Sequence, residues 1–313
     1  MEIISLEQIK AALPSLDLMT EIEAGFVAYS KGDAVIPPVG EMIFDKPPGE
    51  THIKYGYLKN DQYYVLKVAS GFYENPALGV PANNGLMLLF NKQTGAPEAI
   101  LLDEGFLTDI RTAIAGSIAA KHLANEKIDR IGIAGTGVQA LLQLTYLQQV
   151  TDCRDVLVWG RDANKRAAYS ESASALGFNV MATSNAQDLL SDCRLIVTTT
   201  PAHEPILCGK ALPGTHITAV GSDTAAKQEL ATSLLGYADL VVADSLSQCL
   251  LRGEIHHALN DNAIEETNVV ELGEIIAGSK IGRANQEQVT VADLTGVAVQ
   301  DIAIATAIYK AVC

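Results

Sequence analysis

The chain has little of what would staple, export or embed it. Its five cysteines (Cys153, Cys193, Cys208, Cys249 and Cys313) are odd in number and widely spaced, with no C-x-x-C. That excludes a disulfide framework and gives no zinc-site spacing, so they read as reduced thiols of a cytoplasmic protein, with no metal site. Apolar runs such as Leu195–Val197 and Leu240–Ala243 fall far short of the ~18 residues that cross a bilayer. The opening Met1–Glu7 carries no basic segment of the kind that starts a signal peptide. Neither export nor membrane residence is expected. Positive charge is also scarce: 22 Lys and Arg stand against 37 Asp and Glu, a formal charge of −15. A chain so acidic repels nucleic-acid backbones and anionic membranes, so neither is expected as a partner. Internal repeats and low-complexity tracts are absent.

What is present is a globular composition, 48% hydrophobic over 313 residues, enough for about two domains at the usual ~100–200 residues each. The few cations are unevenly placed. Residues 121–170 hold seven Lys and Arg against five acids, whereas residues 220–313 hold five against thirteen.

From about residue 128 short β-branched runs alternate with helical stretches. The runs are Arg130–Ala134, Val156–Trp159, Asn179–Ala182, Leu195–Thr200, His216–Val220 and Leu240–Ala243. Continuous apolar strands separated by helices indicate a parallel sheet covered on both faces, a Rossmann-type doubly wound α/β domain. The first 125 residues open with a helical stretch, Leu16–Lys31, and continue with strand-like segments at Glu41–Phe44, His52–Leu58, Gln62–Val68, Leu86–Phe90 and Glu98–Leu102. Asn91–Gly95 reads as a hairpin turn with Gly at a positive φ. This is an α+β domain with a largely antiparallel sheet. A helix over Leu107–Leu123 leads out of it, and the Ala/Ile-rich helix Val297–Val312 is expected to be buried back on it. The expected division is 1–120 with 295–313, for substrate and dimer contacts, and 121–294 for the dinucleotide.

Gly135-Thr136-Gly137-Val138-Gln139-Ala140 follows a strand and opens a helix. The first Gly makes the tight turn, the second lets backbone N–H groups reach a pyrophosphate, and the small third residue lets helix and strand pack closely. At the end of the next strand an NAD site places a carboxylate for the ribose, and an NADP site supplies a cation instead. Gly160-Arg161, with Lys165 following, is the second arrangement, so NADP(H) is favoured while Asp162 keeps NAD(H) open. Thr198 and Thr199, and Val220, Ser222 and Asp223, close two further strands on the edge where doubly wound sheets bind ligands.

Taken together, these residues resemble the ornithine cyclodeaminase/mu-crystallin family. The matching stretches are Leu66–Val68, Leu107–Ala113 with its Arg111-Thr112-Ala113, Ile131–Ala140, Ala219–Asp223 with Glu229-Leu230, Gly253–Ile255 and Gly296–Asp301. The resemblance implies a homodimer, a nicotinamide cofactor and a small imino or amino acid substrate. It assigns Lys67 and Arg111 to the substrate carboxylate and Asp223 to the amine or imine nitrogen, with Lys67 and Asp223 as the catalytic pair. Arg111 and Thr112 are also expected near the cofactor.

Two departures stand out. Pro37–Glu41 lacks the Arg that cyclodeaminases carry after a Pro, and His52 or Lys54, on a strand facing the same floor, is a candidate replacement. Gly160-Arg161 lacks their acidic residue. Both departures bring the chain nearer to the family's ketimine reductase branch. The implied activity is NAD(P)H-dependent reduction of Δ1-pyrroline-2-carboxylate to proline, or of the six-membered piperideine to pipecolate. An ornithine cyclodeaminase that recycles NAD and a non-catalytic NADPH binder are the alternatives. His256-His257 looks like a metal pair, but adjacent residues point apart on either a helix or a strand.

Overall fold

The computed structural model describes residues 1–72 and 74–313. In chain order the first elements are β1 (Glu2–Ser5), α1 (Leu6–Ala12), α2 (Leu18–Ser30), β2 (Ala34–Val35), β3 (Gly40–Asp45), β4 (Pro48–Leu58), β5 (Tyr63–Gly71), β6 (Asn83–Asn91), β7 (Pro97–Leu102) and α3 (Phe106–Leu123). Next come β8 (Ile131–Ala134), α4 (Val138–Leu147), β9 (Asp155–Trp159), α5 (Ala163–Ala175), β10 (Asn179–Thr183), α6 (Gln187–Asp192), β11 (Leu195–Thr198) and β12 (His216–Ala219). The chain ends with α7 (Thr232–Tyr237), β13 (Leu240–Ala243), α8 (Leu246–Cys249), α9 (Gly253–Asn260), β14 (Val269–Glu271), α10 (Leu272–Ile276), β15 (Thr290–Asp293) and α11 (Ala298–Val312).

These elements form two compact units, Met1–Arg111 with Val297–Cys313, and Thr112–Gly296. The border falls at Arg111 rather than at residue 120 because most of α3 packs with the second unit. Gly116 lies so close to the Gln143 side chain that a Cβ would overlap it, and Gln143 donates to the Thr112 carbonyl at 3.0 Å.

The first unit is a seven-stranded sheet in the order β1-β7-β6-β5-β4-β2, with β3 also on β4. All its pairs are antiparallel except β1 with β7. The expected hairpin joins β6 to β7, with Gly95 at φ 71° and its N–H on the Asn91 carbonyl. Alternation sends Val65, Met87, Leu89 and Leu101 to one face, where they are buried together with Ile9, Ile22 and Phe26 of the helices. The last helix packs against α2, β4 and β5, and Gly25 permits the approach, since a Cβ there would stand 3.2 Å from the Val299 carbonyl oxygen. The period-2 pattern that buries this apolar patch continues along β4 and β5, so His52, Lys54 and Lys67 are buried on the same sheet. Lys54 and Lys67 are direct cross-strand partners. Strand β1 and helix α1, both too short for a periodicity signal, were not expected. Ser5 caps α1 in a capping box with Gln8.

The second unit is an eight-stranded parallel sheet, β10-β9-β8-β11-β12-β15-β13-β14. Connections from β8 run to β9 on one side, and β11 sits on the other, so the order reverses at β8/β11. In doubly wound sheets the crevice at that reversal is where ligands bind. Strands β14 and β15, three and four residues long, were not anticipated. Strand β12 carries a fully buried His216, which exchanges hydrogen bonds with Thr290 and Thr218. Burial lowers its pKa to about 3, so it is a neutral, satisfied part of the sheet. No helix among the described residues is long and apolar enough to cross a membrane.

Candidate active site

The dinucleotide turn is built by what its glycines exclude. Gly135 sits at φ 124°, a left-handed conformation that side chains rarely adopt, and a Cβ there would overlap the Thr199 hydroxyl. Its N–H donates to the Trp159 carbonyl at 2.9 Å, binding the turn to β9. Gly137 is the N-cap of α4 and supplies no side-chain cap. Open space surrounds its Cα, Val138 beside it is 67% exposed, and Gln139 is half-buried while Ala140 is buried against the strand. A ten-residue helix whose N-terminus carries no side-chain cap, behind a glycine turn, suits a pyrophosphate, whose charge the helix N-terminus stabilises.

At the end of β9 Gly160 offers no carboxylate, and a Cβ there would meet Thr136 Cγ2 at 2.7 Å, so a side chain enters only if Thr136 turns aside. Asp162 is committed elsewhere. It caps α5, accepting from the Lys165 N–H at 2.9 Å, and that backbone bond holds its carboxyl below the usual range. Arg161 and Lys165 are exposed beside it, whereas Arg166 folds back onto the Gly160 carbonyl.

Two more strand ends lie on this edge. Thr199 donates through both its N–H and its hydroxyl to the Ala134 carbonyl, and Val220 N–H donates to the Thr198 carbonyl. The Thr198 hydroxyl is fully buried and donates to Glu229 at 2.7 Å. The Ser222 hydroxyl is likewise internal, on the Lys227 carbonyl. Both hold the turns from within, and their side chains do not reach the surface. Asp223 is partly exposed and ion-paired with Lys227 at 2.8 Å, while Arg252 donates to its carbonyl at 3.1 Å.

In the first unit Lys67 of β5 is 2% exposed and Arg111 of α3 is 5% exposed. Helix α11 brings Asp301 between them. The Asp301 carboxylate stands 3.0 Å from Lys67 Nζ and 3.0 Å from Arg111 Nε, and Gln300 accepts from Arg111 Nη1 at 2.8 Å. Burial, together with the Arg111 charge, lowers the pKa of Lys67 to about 7, against the pull of Asp301. Burial pushes the Asp301 carboxyl up, but Lys67 and Arg111 override it and hold the group below the usual range. Two residues before Arg111, burial raises Asp109 to about 6. Asp103 caps the start of α3 by accepting from the Leu107 N–H at 2.9 Å. His52 pairs with Glu41 of β3 at 3.0 Å. Among the described residues no group of three or more His, Cys, Asp or Glu is placed to hold a metal. His256 and His257 each turn to a backbone carbonyl.

Asp301 and Gln300 received no role from the sequence, although both lie in a quoted stretch. The available signal was Asp301 itself, a carboxylate in the middle of an Ala/Ile-rich helix that has to be buried.

A glycine turn behind β8, a cationic strand end and a pair of buried cations define the class: a Rossmann-type dinucleotide-dependent oxidoreductase of imino or amino acids. The model of the ornithine cyclodeaminase/mu-crystallin family matches residues 2–313, and the chain belongs to that family. It is 40% identical to an uncharacterized cyclodeaminase of Sinorhizobium fredii, over 99% of this chain and 95% of that one. Among solved structures, an archaeal alanine dehydrogenase dimer with bound NAD superposes with a TM-score of 0.89 at 32% identity, covering 99% and 95% of the two chains. A Thermococcus litoralis Δ1-pyrroline-2-carboxylate reductase in complex with NADH and L-proline superposes with a TM-score of 0.91 at 27% identity, covering 99% and 97%.

The Lys67 environment has a measurable signature. The folded chain releases this proton at about 7 and the unfolded chain near 10.4. Between those values the unfolded state binds more protons, so stability must rise with pH by roughly 1 kcal/mol per pH unit. The wild type should therefore gain urea resistance relative to Lys67→Met between pH 7.5 and 9. A difference that stays flat over this range contradicts the depressed lysine.

Proposed function

We propose that the protein reduces a cyclic imino acid with NAD(P)H, Δ1-pyrroline-2-carboxylate to L-proline, with the piperideine analogue as a second substrate of the same kind. The observation that carries this reading is the buried Lys67–Asp301–Arg111 cluster with Lys54 opposite Lys67. Cations outnumber the carboxylate that they share, and a planar substrate carboxylate complements them, bidentate on Arg111 and charge-paired with Lys67. Lys54 adds positive potential and His52 stands on the same strand, in place of the Arg that Pro37–Glu41 lacks. Asp223, oriented by Lys227, serves the imine nitrogen. A carboxylate there favours the protonated, electrophilic iminium.

The nicotinamide, when bound, supplies the hydride, which goes to the ring carbon that bears the carboxylate. The residues of the glycine turn and strand ends fit such a cofactor. Gly135, Gly137, Val138, Gln139 and Ala140 receive the pyrophosphate, Thr112 and Thr199 stand with them, and Arg161 with Lys165 receives a 2′-phosphate. That last assignment makes NADP(H) the preferred form. Arg111 belongs to the substrate carboxylate in this reading.

A homodimer is part of the reading. The outer face of β4 and β5 carries a groove of about 410 Å³ lined by Val35, Pro37, Tyr55, Tyr57, Tyr64 and Leu66, an apolar surface of the kind subunits cover. The five free thiols suit a reducing, cytoplasmic setting.

Two mixtures separate the activities. With Δ1-pyrroline-2-carboxylate and NADPH, nicotinamide absorbance should fall; with ornithine and trace NAD, no ammonia should appear. Ammonia release in the second without net cofactor change would make the protein a cyclodeaminase, and silence in both a binder. For the cofactor, Arg161→Gln should raise the KM for NADPH by about tenfold or more and leave that for NADH within about twofold, since only the phosphate contact is lost. Equal effects on the two cofactors contradict this assignment.

A further inference from the structure

Backbone pairing between β11 and β12 ends at Thr198 with Ala219, and one further bond, Val220 N–H to the Thr198 carbonyl, closes the ladder. Beyond it the two strands enter their turns, and a single side chain takes over from the backbone. Glu229 is fully buried. One oxygen accepts from the Thr198 hydroxyl at 2.7 Å and the Gly221 N–H at 2.8 Å, and the other accepts from the Thr200 N–H at 2.5 Å. The two turns are pressed together so tightly that a Cβ on Gly221 would overlap the Thr200 backbone and crowd the Glu229 carboxyl.

Glu229 is itself held by a second carboxylate. The N–H groups of Glu229 and Leu230 donate to the two oxygens of Glu254, at 2.7 and 3.0 Å. A third follows: Asp293, at the end of β15, accepts from the Ile255 N–H at 2.8 Å at the start of the helix that carries Glu254. Three carboxylates in series thus run from one strand end back to another. Burial raises all three, Glu229 to about 7 and the other two well above the carboxylate range. A buried series of carboxyl groups is a costly way merely to brace a turn, since each must either give up its hydration as an anion or take up a proton.

We propose that Glu229 is a positioning residue for the reaction: its carboxylate fixes the Thr198–Thr200 turn against the Val220–Asp223 turn, and so sets where Asp223 stands. This rests on the reading above, in which those strand ends face the nicotinamide and Asp223 serves the nitrogen. Asp223 lies two residues past the Gly221 N–H that Glu229 holds, with Lys227 and Arg252 fixing its far side.

Glu229→Gln tests this at nearly constant volume, because its amide group must place an N–H₂ against a backbone N–H donor. Glu229→Asp keeps the charge and, one methylene shorter, reaches one turn but not both. Both variants should stay folded at 25 °C and still bind NADPH, with affinity lowered by at most about tenfold, because of the proposed cofactor contacts only Thr199 lies on the turn that Glu229 fixes, while the glycine turn and Arg161 lie on other strands. Their kcat should fall by about tenfold or more with little change in imine KM, the split expected when an interaction specific to the transition state is lost. A wild-type kcat in Glu229→Gln overturns the proposal, as does a loss no larger than the fall in folded fraction measured by thermal melting. Should the wild type reduce no imine, the proposed function fails separately. The positioning claim is then read from bound NADPH: altered nicotinamide fluorescence in Glu229→Gln at saturating NADPH supports it, and unaltered fluorescence overturns it.

Discussion

The first unit depends on one carboxylate. Asp301 reaches out of α11 to Lys67 of β5 and Arg111 of α3, joining three elements that are distant in sequence at a point with almost no solvent. Such a cluster adds little stability compared with well-packed apolar side chains, but removing one member strands charge in the interior at a cost of about 3–5 kcal/mol. The arrangement is therefore tight without being stabilising, and its use lies in what it presents. Lys67 is held near the edge of deprotonation, first by burial and then by the Arg111 charge, against the pull of Asp301. On the proposed reading, a substrate carboxylate shares the cations with Asp301.

The second unit solves a different problem with the same chemical group. Its parallel strands pair through backbone hydrogen bonds until the ligand edge, where the turns must diverge and present their N–H groups. There, buried carboxylates accept what the ladder no longer can. Glu229 serves the turns, Glu254 serves Glu229, and Asp293 serves the helix carrying Glu254. Part of the acidic excess of the last third of the chain is thus internal framework. Two exposed cations, Arg161 and Lys165, stand at the end of β9, where Gly160 has no side chain to offer a ribose.

Much of this was legible in the residue order. The alternation of β-branched runs and helices identified the parallel sheet, the glycine spacing located the turn behind β8, and period-2 patterning with Asn91–Gly95 located the antiparallel hairpin. The short strands β1, β14 and β15 were not read from the sequence, although the equally short β8, β11, β12 and β13 stood out as β-branched runs between helical stretches. Lys67 and Arg111 were singled out as cations in recognisable stretches. Asp301 was not given a role, since a sequence does not say which acid meets which base across a separation of 190 or more positions. Thr198 and Ser222 looked like ligand contacts by position, and the structure turns both hydroxyls inward. A strand end's side-chain direction depends on the tertiary partner that captures it.

The account is that this chain moves a hydride from a reduced nicotinamide to the carbon beside a carboxylate held by Lys67 and Arg111. Following the hydride tests that most directly, using Δ1-pyrroline-2-carboxylate, NADPH deuterated at the transferable C4 position, and NMR or mass analysis of the product. The predicted result is one deuterium on the α-carbon of proline. Proline that forms without deuterium there, or no proline at all, would contradict it.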